Sequence, residues 1–221
     1  MKTCALIPAF NVESRIRDVV LGIQEIIPTA IVIDDGSHDG TARIAQESGA
    51  IVLGHKTNQG KGAALKDGFR YAIDNNYDAV ITVDGDGQHN PNDIYSLLSL
   101  ASKADIIIGS RMTNPHMMPK PMLLTNKFLS LLTSIIIRQK IRDSQSGFRL
   151  IKTPVLQQVS LVTNHYEMET EQLIKAGHAG FTIKETPIKT IYYKTAPRST
   201  VIVDTFRFIK LFLSPFLYFH H

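Results

Sequence analysis

Residues 79–89 read AVITVDGDGQH. Ala79, Val80, Ile81, Thr82 and Val83 have the apolar, mostly β-branched character of a buried strand. That strand runs straight into Asp84, Gly85, Asp86, Gly87, Gln88 and His89. Carboxylates one residue apart at the tip of a core strand repel each other, and each loses solvation. A divalent cation removes the conflict. Mg2+ is commonly held by one or two protein carboxylates, with substrate phosphate oxygens completing its shell. The glycines let the backbone approach a ligand closely. The chemistry proposed by this stretch is a cation bridging protein acids and a phosphorylated substrate. An ordinary solvated Asp-Gly turn is the alternative, and the stretch alone leaves both readings open.

Such acids need elements to position them, and the first half of the chain supplies these in alternation. Thr3 to Ile7 reads as a strand stopped by Pro8. Ile16, Val19, Val20, Ile23 and Ile27 give a helical period over 14–27, with Ser14 as the expected N-cap. Further strands are expected at 30–33, 50–53, 79–83 and 106–108, and helices at 41–47, 61–73 and 91–101. This alternation predicts an α/β fold, a mostly parallel sheet with helices on both faces. Ligands of such sheets sit beyond the carboxyl ends of the strands. Asn11 and Glu13 follow the first strand, Asp34 and Asp35 the second, and Asp84 and Asp86 the fourth.

After Arg111 the pattern changes. The stretch 112–121 holds three prolines and three methionines and reads as a loop. The stretch 122–137 is long and apolar, with Lys127 its single charge. Residues 143–149 are polar and turn-like. Residues 166–176 read as a helix carrying Glu167, Glu169 and Glu171. Residues 181–193 read as one or two strands broken by Pro187. The stretch 205–219 is aromatic and aliphatic, with Arg207 and Lys210 interspersed.

Composition narrows the function classes. A chain of 221 residues can bury one sizeable core. Its net charge of +4 is too mild for a nucleic-acid binder but fits anionic substrates or an anionic membrane surface. Cys4 is the single cysteine and can form no internal disulfide, which predicts a reducing compartment. The N-terminal apolar run is too short for a signal peptide, and no transmembrane helix is expected. His220 and His221 resemble the start of a purification tag and carry no functional weight. Pro8, Ala9, Phe10 and Asn11 stand where a dinucleotide-binding dehydrogenase has its glycine fingerprint. Gly60-Lys61-Gly62 lacks the upstream glycine and the Ser or Thr of a P-loop.

Six motifs in order carry a more specific signal. They are 7–13 (IPAFNVE), 33–41 (IDDGSHDGT), 58–62 (NQGKG), 83–89 (VDGDGQH), 109–111 (GSR) and 143–149 (DSQSGFR). Together, over about residues 3–195, the chain resembles the family 2 glycosyltransferases. Within them it is similar to the branch of dolichol-phosphate mannose synthases and polyprenyl-phosphate glycosyltransferases. The resemblance implies the GT-A fold, a Rossmann-like sheet, over 1–200. It implies a nucleotide-diphosphate sugar donor, GDP-mannose or a UDP-sugar. It places Mg2+ or Mn2+ on Asp84, Asp86 and Gln88. Asp35 matches the residue that hydrogen-bonds the base, with Ile33 beside it. Pro8, Ala9, Asn11 and Glu13 match the nucleoside wall, and Lys61, Gly85 and Arg111 lie with the donor. Asn11 stands where many relatives have Tyr. Relatives carry a lysine where this chain has Thr200, after the matching Ser199.

The implied reaction is an inverting transfer of a hexose, mannose or glucose, with Asp84, Asp86, Arg111 and Arg149 as catalytic residues. A lipid phosphate acceptor is already ionised at neutral pH, since a phosphate monoester has its second pKa at about 6. Arg111, Arg149 and Ser146 are the expected contacts of that phosphate. Two alternatives stand beside this one. A glycan hydroxyl acceptor needs a carboxylate base, with Glu169 and Glu171 as candidates, unless they are only a solvated helix face. A sugar-nucleotide binding module needs no turnover at all. The apolar stretch 122–137 is either core or membrane interface. The segment 201–221 is expected as an amphipathic helix at a membrane or a partner. The expected location is cytoplasmic, peripheral at the inner membrane face. The expected partners are a nucleotide sugar, a lipid phosphate and a membrane surface, with a homodimer or membrane partner in addition and no nucleic acid.

Overall fold

A computed structural model describes residues 1–113, 115, 118–189, 207, 208 and 210–212. Its strands are β1 (Thr3–Ala9), β2 (Ala30–Asp34), β3 (Ile51–Gly54), β4 (Ala79–Thr82), β5 (Ile106–Ser110), β6 (Arg149–Lys152) and β7 (Ile183–Pro187). Its helices are α1 (Glu13–Gln24), α2 (Thr41–Glu47), α3 (Lys61–Asp74), α4 (Ile94–Leu98), α5 (Lys120–Ile137), α6 (Thr153–Gln158) and α7 (Met168–His178). The seven strands form one sheet in the order β3-β2-β1-β4-β6-β5-β7.

Alternation along each strand sends neighbouring side chains to opposite faces. Cys4, Leu6, Ile31, Ile33, Val80, Ile106 and Ile108 belong to one buried cluster, which includes Ala64, Leu65 and Phe69 of α3. Ala5, Ile7, Ala30, Val32, Ile81 and Ile107 belong to the other, with Ile16, Val20 and Ile23 of α1. The sheet is therefore covered on both faces, as an α/β reading requires. Cys4 lies in the first layer, and burial pushes its thiol up to about 12.

Sheet direction decides which residues meet. β1 pairs in parallel with β2 and β4, and β5 with β7. β6 runs antiparallel between β4 and β5, with Thr82 opposite Arg149. Its beginning therefore lies beside the carboxyl end of β4. This one reversal brings residues 143–149 to the edge where Asp34 and Asp84 emerge. The polar turn read over 143–149 thus ends in a strand. Only Leu150 and Ile151 in β6 are apolar, too short a run for a period-two signal.

Other elements shift in detail. Ser14 is not the cap of α1. Val12 holds that position without a side-chain cap, and its N–H donates to Thr41 Oγ1 at 2.9 Å. Residues 91–93 form a 3-10 turn ahead of α4. α5 is helical as its apolar character implied, but beside Leu129 and Ile137 it buries polar groups while it exposes large apolar ones. Asn126, Ser130 and Thr133 are buried, while Leu124, Phe128, Leu131 and Ile135 are exposed. The segment 201–221 is described only at 207, 208 and 210–212, where Phe208 and Leu211 are buried in the first apolar layer. Residues 190–200, with Ser199 and Thr200, lie outside the described residues.

Candidate active site

The tip of β4 carries Asp84, and the first residue of α3 points at it. Lys61 Nζ lies 2.6 Å from Asp84 Oδ1 and 2.7 Å from Glu169 Oε1. Burial opposes the ammonium charge, but Asp84 and Glu169 outweigh it and hold Lys61 above the ordinary lysine range. Asp84 is partly buried, which opposes its charge, yet Lys61 and His89 keep its carboxyl well below the usual carboxylate range. His89 Nε2 stands 3.3 Å from Asp84 Oδ2. The imidazole is stacked on Phe148 with ring centres 4.9 Å apart, and its buried Nδ1 has no hydrogen-bond partner.

Gly147 leaves the room for this cluster. A Cβ at Gly147 would sit 2.6 Å from Lys61 Nζ and 3.2 Å from Asp84 Oδ1. Thr82 Oγ1 donates to the Gly147 carbonyl at 2.6 Å, which fixes that backbone against β4. Asp86, next along, accepts from Gln88 N at 3.1 Å and from Gln88 Nε2 at 2.7 Å. Gly85 packs under the first loop, where a Cβ would meet the Pro8 carbonyl at 3.2 Å.

A second buried acid sits at the end of β2. Asp35 accepts the N–H groups of Gln59 and Gly60, each at 2.8 Å. Gly60 has φ +104, a conformation that L side chains rarely adopt, and a Cβ there would collide with Asn164 and His165. His55 bridges Asp35 and Asp67, with Nδ1 at 2.7 Å from one and Nε2 at 2.8 Å from the other. Burial lowers the affinity of His55 for its proton, but the two carboxylates outweigh that and raise its pKa. Neighbouring Asp34 accepts from Ser37 N at 3.3 Å through Oδ2. Its Oδ1 is buried without a partner.

Asn11 and Glu13 tie the first loop to the one after β2. Asn11 N donates to Ser37 Oγ and Asn11 Oδ1 accepts from His38 N, both at 2.9 Å. Glu13 Oε2 accepts from Gly40 N at 2.8 Å. Pro8 and Ala9 are buried beneath this loop. Ile33 is fully buried among Leu6 and α3, so its place is in the core under the site.

The 143–149 segment forms the far wall. Arg111 makes a two-pronged contact with Asp143, Nε to Oδ2 at 2.9 Å and a terminal nitrogen to Oδ1 at 2.7 Å. Asn126 Nδ2 donates to the same carboxylate at 2.7 Å. Asp143 is buried, but Arg111 above all outweighs that and holds its pKa down. The structure keeps Arg149 and Ser146 beneath the surface. Arg149 is 1% exposed. Its guanidinium donates to the carbonyls of Ser144, Ser146 and Glu169 and to Gln172 Oε1. Burial pushes it down to about 10. Ser146 Oγ donates to the Gly109 carbonyl at 2.6 Å.

Glu169 and Glu171 are both buried, so neither lies on a solvated helix face. Glu171 accepts from Val162 N and Thr163 N, each at 2.9 Å, and pairs with Lys175 at 2.8 Å. Glu169 is different. Apart from its ion pair with Lys61, neither oxygen has a well-directed hydrogen bond.

The donor set fits a hard dication. Two carboxylates and an amide oxygen at one strand tip are the ligands that Mg2+ and Mn2+ take. Among the described residues no three His, Cys, Asp or Glu side chains converge as a closed metal cage. A site completed by substrate phosphates needs none.

A family model for glycosyl transferase family 2 matches residues 4–160. The chain belongs to glycosyl transferase family 2. It is 32% identical over 235 residues to a UDP-N-acetylglucosamine–dolichyl-phosphate N-acetylglucosaminyltransferase of Methanococcus voltae, covering 94% of both proteins. An undecaprenyl-phosphate mannosyltransferase of Micrococcus luteus is 28% identical over 202 residues, or 85% of this chain and 83% of that protein. Among solved structures, glucosyl-3-phosphoglycerate synthase of Mycobacterium tuberculosis, in complex with Mn2+ and UDP, superimposes with a TM-score of 0.77. It is 19% identical, covering 96% of this chain and 78% of that one. The protein is thus a glycosyltransferase with the GT-A fold.

The sequence reading found the acids but not their partners. Nothing in spacing marked His55 as the bridge between Asp35 and Asp67. His89 ends the acidic motif, and its contact with Asp84 is set by the fold. A histidine directly after an acidic loop, before Pro91, was the one available signal.

Proposed function

We propose that this chain transfers a hexose from a nucleotide-diphosphate sugar to a polyprenyl phosphate, with inversion at the anomeric carbon. The observation that carries the proposal is the paired acid tip, Asp84 and Asp86, at the carboxyl edge of the sheet. The similarity to a dolichyl-phosphate transferase over 94% of both chains supports the acceptor class.

Asp84, Asp86 and Gln88 are the residues that would hold Mg2+ or Mn2+. When bound, that ion offsets the negative charge that builds on the departing nucleoside diphosphate. Asp34 and Asp35 border the nucleoside, and Asp34 Oδ1 offers it an unused buried acceptor. Lys61 and Arg111 supply positive charge beside the diphosphate. The acceptor phosphate attacks in its ionised form, so no residue has to remove a proton. This agrees with Glu171 being occupied by loop amides and Glu169 facing Lys61. In this reading Arg111 contacts phosphate, while Arg149 and Ser146 support the wall from beneath.

The exposed face of α5 supports a lipid acceptor. Leu124, Phe128, Leu131 and Ile135 are 58–68% exposed and fall on one side of the helix. Lys120 and Lys127 flank that stripe, and no Asp or Glu occurs between Asp105 and Asp143. An apolar stripe beside cations fits an anionic membrane surface. The proposed association is peripheral, through this face; no helix of the described residues is long and apolar enough to cross a membrane. The test is transfer from labelled GDP-mannose, UDP-glucose and UDP-N-acetylglucosamine to dolichyl or undecaprenyl phosphate, with and without Mn2+. A glycosylated lipid formed only with the ion supports the proposal. Transfer to a glycan hydroxyl and to no lipid phosphate overturns it.

A further inference from the structure

Lys61 occupies an expensive position for a cation. It is the first residue of α3, where the helix dipole presents positive charge and disfavours another. It is also buried. What holds it there is Asp84 at 2.6 Å and Glu169 at 2.7 Å. Glu169 is 4% exposed, forms its ion pair with Lys61, and also lends its charge to the buried Arg149. The ammonium thus sits between one buried carboxylate, Glu169, and one partly exposed carboxylate, Asp84.

A dication cannot join that unit unchanged. Bound to Asp84, it would share that carboxylate with the ammonium, and like unit charges about 4 Å apart repel by about 4 kcal/mol near a protein surface. Glu169 offers the ammonium a second, permanent partner. The lysine tip is the flexible end of a long side chain, and Gly147 places no Cβ against it.

We infer that Lys61 is the resident counter-ion of the donor-free site, and that a divalent cation takes Asp84 from it while Glu169 retains it. Glu169 is then a positioning residue: it receives the displaced ammonium instead of acting as a base. The ion pair competes with the metal, so apparent metal affinity is reduced by the fraction of protein in which Asp84 is free. This inference rests on the proposed metal role of Asp84.

The experiment is calorimetric titration of Mn2+ into nucleotide-free protein, after a melting curve on each preparation. Lys61→Met together with Glu169→Gln removes the competitor and the acid paired with it, while Arg149 keeps its hydrogen bonds to the Ser144, Ser146 and Glu169 carbonyls. This double variant is expected to bind Mn2+ about tenfold tighter than wild type, as for a site free in about one molecule in ten. Glu169→Gln alone is expected to bind Mn2+ severalfold more weakly, because Lys61 then has only Asp84. A loosened site would weaken both variants, so the opposite signs separate competition from damage. Equal or weaker binding by the double variant overturns the inference. If the double variant does not melt cooperatively, Glu169→Gln decides alone, and unchanged or tighter binding overturns it. Wild type that binds no Mn2+ even with UDP present sinks the metal role itself, a distinct failure.

Discussion

Gly147→Ala is the smallest change that reaches the centre of the site. The new methyl would stand 2.6 Å from Lys61 Nζ and 3.2 and 3.3 Å from the two Asp84 oxygens. Ordinary contact begins near 3.5 Å, so relief takes a shift of about 1 Å. Gly147 is not among the glycines with positive φ, so the backbone accepts alanine and the effect is steric. The closest atom ends a flexible side chain, which bounds the folding cost at about 1–3 kcal/mol. For a domain of this size that lowers Tm by about 2–4 °C per kcal/mol. A misplacement of about 1 Å in a reacting constellation costs about 100-fold in rate. The assay is initial sugar-transfer rate at saturating donor and Mn2+, with Tm measured on the same protein. Activity should fall about 100-fold while the fold survives. A rate within about threefold of wild type would show that the Asp84–Lys61 geometry does not matter to turnover.

Four further outcomes follow from the same contacts. Arg111→Met leaves the fully buried Asp143 without its ion-pair partner and should cost about 3–5 kcal/mol in urea unfolding; a loss under about 1 kcal/mol contradicts the buried-pair account. Arg149→Met strands carbonyls of Ser144, Ser146 and Glu169, so stability should drop by about 1–3 kcal/mol per orphaned group; unchanged stability with a raised KM for lipid phosphate would instead make Arg149 an acceptor contact. His55 has its pKa raised in the folded state by Asp35 and Asp67 against the opposing effect of burial. Its contribution is therefore complete below the unfolded value of 6.5 and is lost as pH rises through the folded one. The Tm gap between wild type and His55→Gln should shrink as pH rises above 6.5, and a gap that widens reverses the sign. Leu124→Glu with Leu131→Glu should abolish co-sedimentation with anionic vesicles and leave Tm unchanged; retained binding refers the stripe to another partner, and a changed oligomeric state points to a second copy.

The alternation of short apolar runs and amphipathic segments was enough to expect the parallel sheet, because period two and period 3.6 are local properties. β6 escaped for the same reason. Its four residues carry charge at both ends, and its place between β4 and β5 depends on pairing across the chain. Asp84 and Asp86 were readable because like charges beside a core strand are costly wherever they occur. Arg149 was misleading because an arginine in a polar turn looks solvent-facing, whereas the antiparallel reversal turns it inward onto carbonyls. α5 shows another limit. Its exposed leucines and buried Asn126 and Ser130 invert the usual pattern, because Asp143 and Ser144 opposite supply polar partners. The links between His55 and Asp67 and between Lys61 and Glu169 join separate elements, and no local spacing encodes them.

The central claim is that the acids at the tip of β4 grip a cation beside a departing nucleotide. Crystals grown with Mn2+ and a nucleoside diphosphate test it through anomalous scattering at the manganese edge. One ion is expected, coordinated by Asp84 and Asp86 and by oxygens of the diphosphate, with Gln88 within reach. An ion bound away from β4, or a fully occupied nucleotide with no ion beside these acids, would contradict it.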